Sequence, residues 1–202
     1  MCNIVPLFAE LTLQQVIDNC PYRVTEGHMT PSQQIQYNER LKSYENIYSI
    51  LEIGLNAGHS AENFFQQCPH LKTFVSIDIC SHPYTPYAIH YFQENYKNRF
   101  IPVIGDSLIK IPEYAELHPD QKFDLIFIDG NHSYHYCLND IINCRKVAHT
   151  KTHLWVDDYQ YESVSNAIGH AVESGLMVID HIHEDPVSQR IWVEAHYTLR
   201  EK

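Results

Sequence analysis

Four side chains in the second half of the chain have the chemistry to act together: Asp129, His132, Asp157 and Asp158. Grouped carboxylates repel one another unless protons or a cation lie between them. Ligation by oxygen alone selects a hard divalent ion, Mg2+ first and Mn2+ or Ca2+ after it. His132 sits in the loop Asp129-Gly130-Asn131-His132, and a neutral imidazole there suits proton transfer near pH 7. One of the paired acids at 157 and 158 could instead cap the helix that follows.

A second set lies upstream, in Ile50-Leu51-Glu52-Ile53-Gly54-Leu55-Asn56-Ala57-Gly58-His59-Ser60. Apolar residues and an acid precede two glycines, and a helical pattern then begins. This is the order of a strand, a tight turn and a helix start. Gly54 can adopt backbone angles closed to other residues, and Gly58 has no side chain to hold a ligand off the backbone. Free N–H groups at the helix start attract a carboxylate or phosphate. The dinucleotide fingerprint G-x-G-x-x-G is missing, because Asn56 stands where its second glycine belongs.

The elements that must position these residues follow from hydrophobic periodicity. Short apolar runs at Ile47–Ile53, Thr73–Asp78, Phe100–Ile104, Phe123–Asp129 and His153–Asp157 predict strands. Helical patterns lie between and after them, at Ala61–Gln67, Pro86–Lys97, Leu108–Leu117, Tyr134–Ala148 and Ser163–Ser174. Nearly continuous apolar strands alternating with helices predict a parallel sheet covered on both faces. Leu176–His183 and Arg190–Tyr197 have no helix between them and must pair as an antiparallel hairpin. The expected fold is therefore α/β: a doubly wound, Rossmann-like, seven-stranded sheet, parallel except for the hairpin. Two helices precede it, over residues 6–19 and from Thr30, as N-cap, to about Tyr44. The reading is one domain over 1–202, with 1–45 as a helical cap and 46–202 as the core. The cap is a candidate lid, a subunit contact of a homo-oligomer, or a packing appendage of the sheet.

An acid stands at or just after each of the first five strands: Glu52, Asp78, Asp106, Asp129 and the pair Asp157-Asp158. Ligands of open α/β sheets sit beyond those strand ends. A carboxylate at Asp78 can accept from a ribose diol, and Asp106-Ser107 would lie near an adenine edge.

A net charge of −11 with no Lys/Arg cluster argues against a nucleic-acid partner. There is no apolar run long enough to span a membrane and no C-x-x-C pair among six cysteines, so reduced thiols and a cytoplasmic setting are expected. His181 and His183 share a strand face and, with Glu184, form a weaker candidate for a transition metal.

The Glu52-x-Gly54-x-x-x-Gly58 turn resembles the first motif of class I S-adenosylmethionine (SAM) dependent methyltransferases. The Asp129-Gly130-Asn131-His132 segment with Asp157-Asp158 is similar to the metal-dependent O-methyltransferases, especially the macrocin and macrolide-sugar branch and more distantly the catechol enzymes. The likeness covers Ile47 to Tyr159. It implies SAM as methyl donor, with Gly54, Asn56, Gly58, His59 and Ser60 around it, Glu52 ordering the turn and Asp129 at its methyl end. Asp78 would take the ribose, and Asp106 and Ser107 the adenine. It further implies Mg2+ or Mn2+ on Asp129, Asp157 and Asp158, His132 as base, and a small hydroxyl-bearing acceptor. One departure stands out: Ala148-His149-Thr150-Lys151-Thr152 replaces the glycine turn usual before the fifth strand. A metal-independent methyltransferase and a non-catalytic SAM or nucleoside binder are the alternatives.

Overall fold

The structure, a computed structural model, describes residues 11–199. Two helices, α1 (Leu13–Asp18) and α2 (Pro31–Lys42), precede the sheet. There follow β1 (Ser49–Ile53), α3 (His59–Gln67), β2 (Thr73–Asp78), α4 (Thr85–Tyr96), β3 (Phe100–Ile104) and α5 (Ser107–Leu117). The chain continues through β4 (Phe123–Ile128), α6 (Tyr134–Cys144), β5 (Ala148–Val156) and α7 (Glu162–Glu173), and ends in the hairpin β6 (Met177–Glu184) and β7 (Ile191–Tyr197).

The strands form one sheet in the order β3-β2-β1-β4-β5-β7-β6. The first five are parallel, and β7 runs antiparallel between β5 and β6. The expected doubly wound sheet with its terminal hairpin is the observed one. Alternate residues of the central strands face opposite layers. Phe74, Phe127, Trp155 and Trp192 pack with α1 to α4, while Leu51, Val75, Ile126, Ile128 and Val156 pack with α5 to α7.

Helix boundaries follow local chemistry. Thr30 caps α2 by accepting from the Gln33 N–H at 3.1 Å, with Pro31 at the first turn, as its sequence predicts. The helix anticipated over 6–19 is seen at Leu13–Asp18, where Thr12 and Gln15 make a reciprocal cap. The part of that expectation on residues 6–10 lies outside the described residues.

The largest difference concerns residues 145–152. The hydrophobic pattern predicts a helix reaching Ala148 and a strand beginning at His153. Instead α6 stops at Cys144, one 3-10 turn follows, and β5 starts at Ala148. The Thr152 hydroxyl donates to the Phe123 carbonyl at 2.6 Å and accepts from the His149 N–H at 2.8 Å, across an irregular register between Phe123 and Leu125. No glycine turn stands before the fifth strand because the strand already occupies that stretch.

Strand pairing continues one residue past the strand ends. Gly54 donates to the Ile77 carbonyl, Asp129 to Ile53, Asp157 to Ile128 and Gly105 to Asp78, all at 2.9–3.0 Å. These bonds set the terminal acids side by side along one edge of the sheet, where the strand order reverses about β1 and β4.

Candidate active site

A cleft of about 820 Å³ opens at that edge. Its walls include Gly54, Asn56, Ser60, Asp78, Asp106, Ser107, Asp129, His132, Asp157 and Asp158. Glu52 lies beneath it, fully buried, accepting from the hydroxyls of Ser60 at 2.6 Å and Ser76 at 2.8 Å. Burial pushes its carboxyl up to about 8, against the pull of the two hydroxyls.

Gly54 has φ +95°, and a Cβ there would stand 2.1 Å from the Asp129 carbonyl oxygen. Its bareness lets the first and fourth strand ends touch. Gly58 and His59 are not on the cleft wall. A Cβ on Gly58 would meet Phe92 at 2.6 Å, so the bareness of this glycine admits an aromatic ring from α4. His59 Nδ1 lies 2.8 Å from the carbonyl oxygen of Gly27.

Asp78 accepts from the N–H groups of Leu55 (2.8 Å), Asn56 (3.0 Å) and Cys80 (2.6 Å), so it holds the glycine turn shut against β2. Asp106 caps α5 through the Leu108 N–H at 3.0 Å and accepts from the Tyr136 hydroxyl at 3.0 Å.

The acid cluster at the other end divides. One donor atom from each of Asp129, His132 and Asp158 lies within 4.8 Å of the others. His132 Nε2 is 2.7 Å from Asp158 Oδ2 and 4.0 Å from Asp129 Oδ1, and its ring stacks on Tyr161 at 5.1 Å. Asp157 instead turns to α2. Its Oδ2 accepts from Gln33 Nε2 at 2.8 Å and the Tyr37 hydroxyl at 3.0 Å, and its Oδ1 from the Asp158 N–H at 2.9 Å. The expected trio of carboxylates is thus two carboxylates and an imidazole, with the third acid satisfied elsewhere.

The electrostatics carry the strain of grouping like charges. Burial first, and then Asp157 and Asp158, push Asp129 well above the carboxylate range. Burial and Asp158 raise Asp157 to about 6. Burial would raise Asp158 too, but its hydrogen bond from His132 reverses the sign; the same bond raises His132. Two carboxylates and an imidazole this close suit one divalent ion, since ligand atoms on opposite sides of an ion about 2.1–2.4 Å from each are about 4–5 Å apart.

Several wall residues carry no local sequence signal. Arg190, from the β6–β7 turn, donates Nη1 to the His28 carbonyl at 3.0 Å and Gln33 Oε1 at 3.2 Å. Glu26 pairs with His82 at 2.6 Å, holding the loop between α1 and α2 to the loop after β2. Gln33 and Tyr37 stand four apart on α2, a spacing that puts them on one face without naming their partner. His181 and His183 gather no third close donor from Glu184 among the described residues; His183 stacks flat on Trp192 at 3.8 Å.

Residues 51–159 match the family described as Methyltransferase domain. The chain belongs to that family. Family and fold together make it a class I SAM-dependent methyltransferase. Among solved structures, the Bacillus cereus O-methyltransferase bound to SAH is similar at a TM-score of 0.71 and 16% identity, over 92% of this chain and 90% of that one. The TDP-rhamnose 3'-O-methyltransferase of calicheamicin biosynthesis gives 0.60 and 15%, over 90% of each chain. The N-methyltransferase NodS of Bradyrhizobium japonicum, also bound to SAH, gives 0.60 and 18%, over 93% and 97%. No curated protein matches in sequence. No described helix is long and apolar enough to cross a membrane. Cys20, Cys68, Cys80, Cys137 and Cys144 are free thiols.

Proposed function

We propose that this methyltransferase transfers the methyl group of SAM to a hydroxyl of a small molecule, assisted by a divalent ion. The carrying observation is that Asp129, His132 and Asp158 converge on the same cleft that Asp78 and Asp106 enter. SAM supplies a methyl carbon already made electrophilic by the sulfonium charge. A divalent ion would be held by Asp129 and Asp158 with His132 beside them; when bound it lowers the pKa of a coordinated hydroxyl and fixes its direction.

The chain's own residues do the rest. Asp78 would exchange part of its hold on the glycine turn for the ribose hydroxyls, and Asp106 with Ser107 would border the adenine. Ser60 and Gly54 line the turn around the methionine part, with Glu52 bracing it from below. Gly130, Asn131, Tyr161 and Gln160 line the same cleft and would wall the acceptor end. The catalytic gain is then proximity and electrostatics. The similar structures include both O- and N-methyltransferases; oxygen is preferred here because a divalent ion beside the acceptor would activate a hydroxyl.

A second reading is favoured by the 2.7 Å contact of His132 with Asp158. In it no ion is needed: Asp158 fixes the imidazole, and the free ring nitrogen of His132 takes the acceptor's proton. Calorimetry and chelation separate the possibilities. SAM should bind in the micromolar range and Asp78→Ala should weaken it at least about tenfold, the loss of one charge-assisted pair; no SAM binding by the wild type would end both readings. EDTA should abolish methyl transfer and spare SAM binding. Activity that survives EDTA selects the His132–Asp158 dyad.

A further inference from the structure

The cleft wall carries the carboxylates of Glu26, Asp78, Asp106, Asp129, Asp157 and Asp158. Against them stands Arg190, the one lysine or arginine among the described residues of that wall. Its positive charge favours the ionised forms of Asp129, Asp157 and Asp158, so it stands at the acceptor end. Yet no carboxylate oxygen among the described residues comes within 4.0 Å of its guanidinium, the reach of an ion pair. What holds it is neutral: Nη1 donates to the His28 carbonyl at 3.0 Å and to Gln33 Oε1 at 3.2 Å. Nε and Nη2 have no hydrogen-bond partner among the described residues.

The turn that presents Arg190 is pinned in place. Asp185, buried, accepts from Thr30 Oγ1 at 3.0 Å, Ser32 Oγ at 2.6 Å, the Val187 N–H at 2.9 Å and the Ser188 hydroxyl. Its own N–H donates to the Arg190 carbonyl at 2.8 Å. These bonds fasten the β6–β7 turn to the start of α2 and fix where the guanidinium begins. An amide would serve two neutral acceptors as well. A guanidinium held at one nitrogen and open at the other two adds the planar fork that grips a carboxylate or phosphate at two points.

We propose that Arg190 sets acceptor specificity: the acceptor carries an anionic group, a carboxylate or a phosphate ester, which Nε and Nη2 of Arg190 bind while its hydroxyl lies towards Asp129 and His132. Without this cation the acids of the wall would repel such a molecule. With it, a neutral analogue forfeits a charge-assisted pair and is disfavoured. This deepens the small-hydroxyl reading above and rests on it. The carboxylate of SAM is the other anion within the cleft, and the test separates the two sources.

Full-length isotope-labelled protein is saturated with SAH in EDTA, so that no divalent ion bridges an added anion to the acids. The Nε–H resonance of Arg190, identified by its loss in Arg190→Lys, is followed by NMR as inorganic phosphate, benzoate or benzamide (the neutral isostere of benzoate) is added. Phosphate and benzoate should shift it saturably with a Kd of about 10 mM or tighter, and benzamide should bind at least about tenfold more weakly than benzoate. In Arg190→Met, read through the Ser188 and Gln189 amides, benzoate should fall to within about twofold of benzamide, and Arg190→Lys should recover part of the difference as a point charge without the fork. Calorimetry should give SAH the same affinity in wild type and Arg190→Met within about twofold. A resonance that no anion moves, or benzoate and benzamide of equal affinity for the wild type, overturns the proposal and leaves methyl transfer standing. A loss of SAH affinity of about tenfold or more in Arg190→Met, with methylthioadenosine (which lacks the amino-acid part) bound as before, assigns the guanidinium to the cofactor's carboxylate and overturns it too. A wild type that binds no SAH ends the methyltransferase reading and this one with it.

Discussion

Replacing Glu52 by Gln should make the protein more stable at neutral pH, and increasingly so as pH rises. Glu52 is fully buried, with two neutral hydroxyls as partners and, among the described residues, no cation beside it. Its carboxyl is raised from 4.5 to about 8, chiefly by burial and further by Asp78. The folded protein therefore holds this proton more tightly than the unfolded chain does. The associated stability is complete below about pH 4.5 and is lost as pH rises through about 8. At about 1.4 kcal/mol per pKa unit, the wild type should lose about 2–3 kcal/mol against the Glu52→Gln variant between pH 6 and pH 8.5. The introduced amide keeps one acceptor for the serines, and their hydroxyls can rotate to accept from its NH2 group. Urea unfolding of both proteins at pH 6, 7 and 8.5 reads the difference, in which titrations common to both cancel. A gap that does not change with pH would refute the assignment of Glu52 as a buried acid that must charge. A gap that narrows would mean that a cationic partner, and not the two serines alone, holds the group ionised.

Two further substitutions probe how the site is held. Gly54→Ala should cost at least about 2 kcal/mol and abolish SAM binding, because its Cβ meets the Asp129 carbonyl and its φ is positive; thermal unfolding and calorimetry check both. Arg40→Met should cost about 3 kcal/mol at pH 7, since it strips the two-pronged contact, at 2.5 Å on each prong, from buried Glu194. Burial raises Glu194, but His183, Arg40 and Tyr44 together bring it down to about 2, so its contribution is present above about pH 4.5 and fades as pH falls towards 2. The penalty of Arg40→Met should accordingly be smaller at pH 3 than at pH 7 in urea titrations.

What the sequence makes legible is what is local. The alternation of apolar runs and helices, the helix-free gap before Arg190, and the acid at each strand end follow from periods and residue types within short windows. The turn at Gly54 is legible for the same reason, although its cause, the carbonyl of Asp129, is a contact across strands. Gly58 is legible as a glycine and not as to purpose, because Phe92 comes from a helix about thirty residues on. The partition of the acids is not legible. Asp157 and Asp158 are adjacent and alike in type; Tyr37 and Gln33, more than a hundred positions earlier, take the first, while His132 and Gln160 take the second. Arg40 with Glu194, and Thr30 and Ser32 with Asp185, are long-range in the same way.

Those long-range contacts bear on how the molecule comes into being. Helix α2 is made before every strand of the sheet, yet its partners Asp157, Asp185 and Glu194 follow the helix residues they bond by 120 positions or more. A nascent chain holding every strand through β4 still lacks the anchors that seat this helix and aim the acid pair. The part of the cleft wall that α2 supplies is therefore set only once the β6–β7 hairpin has been made and has met this helix.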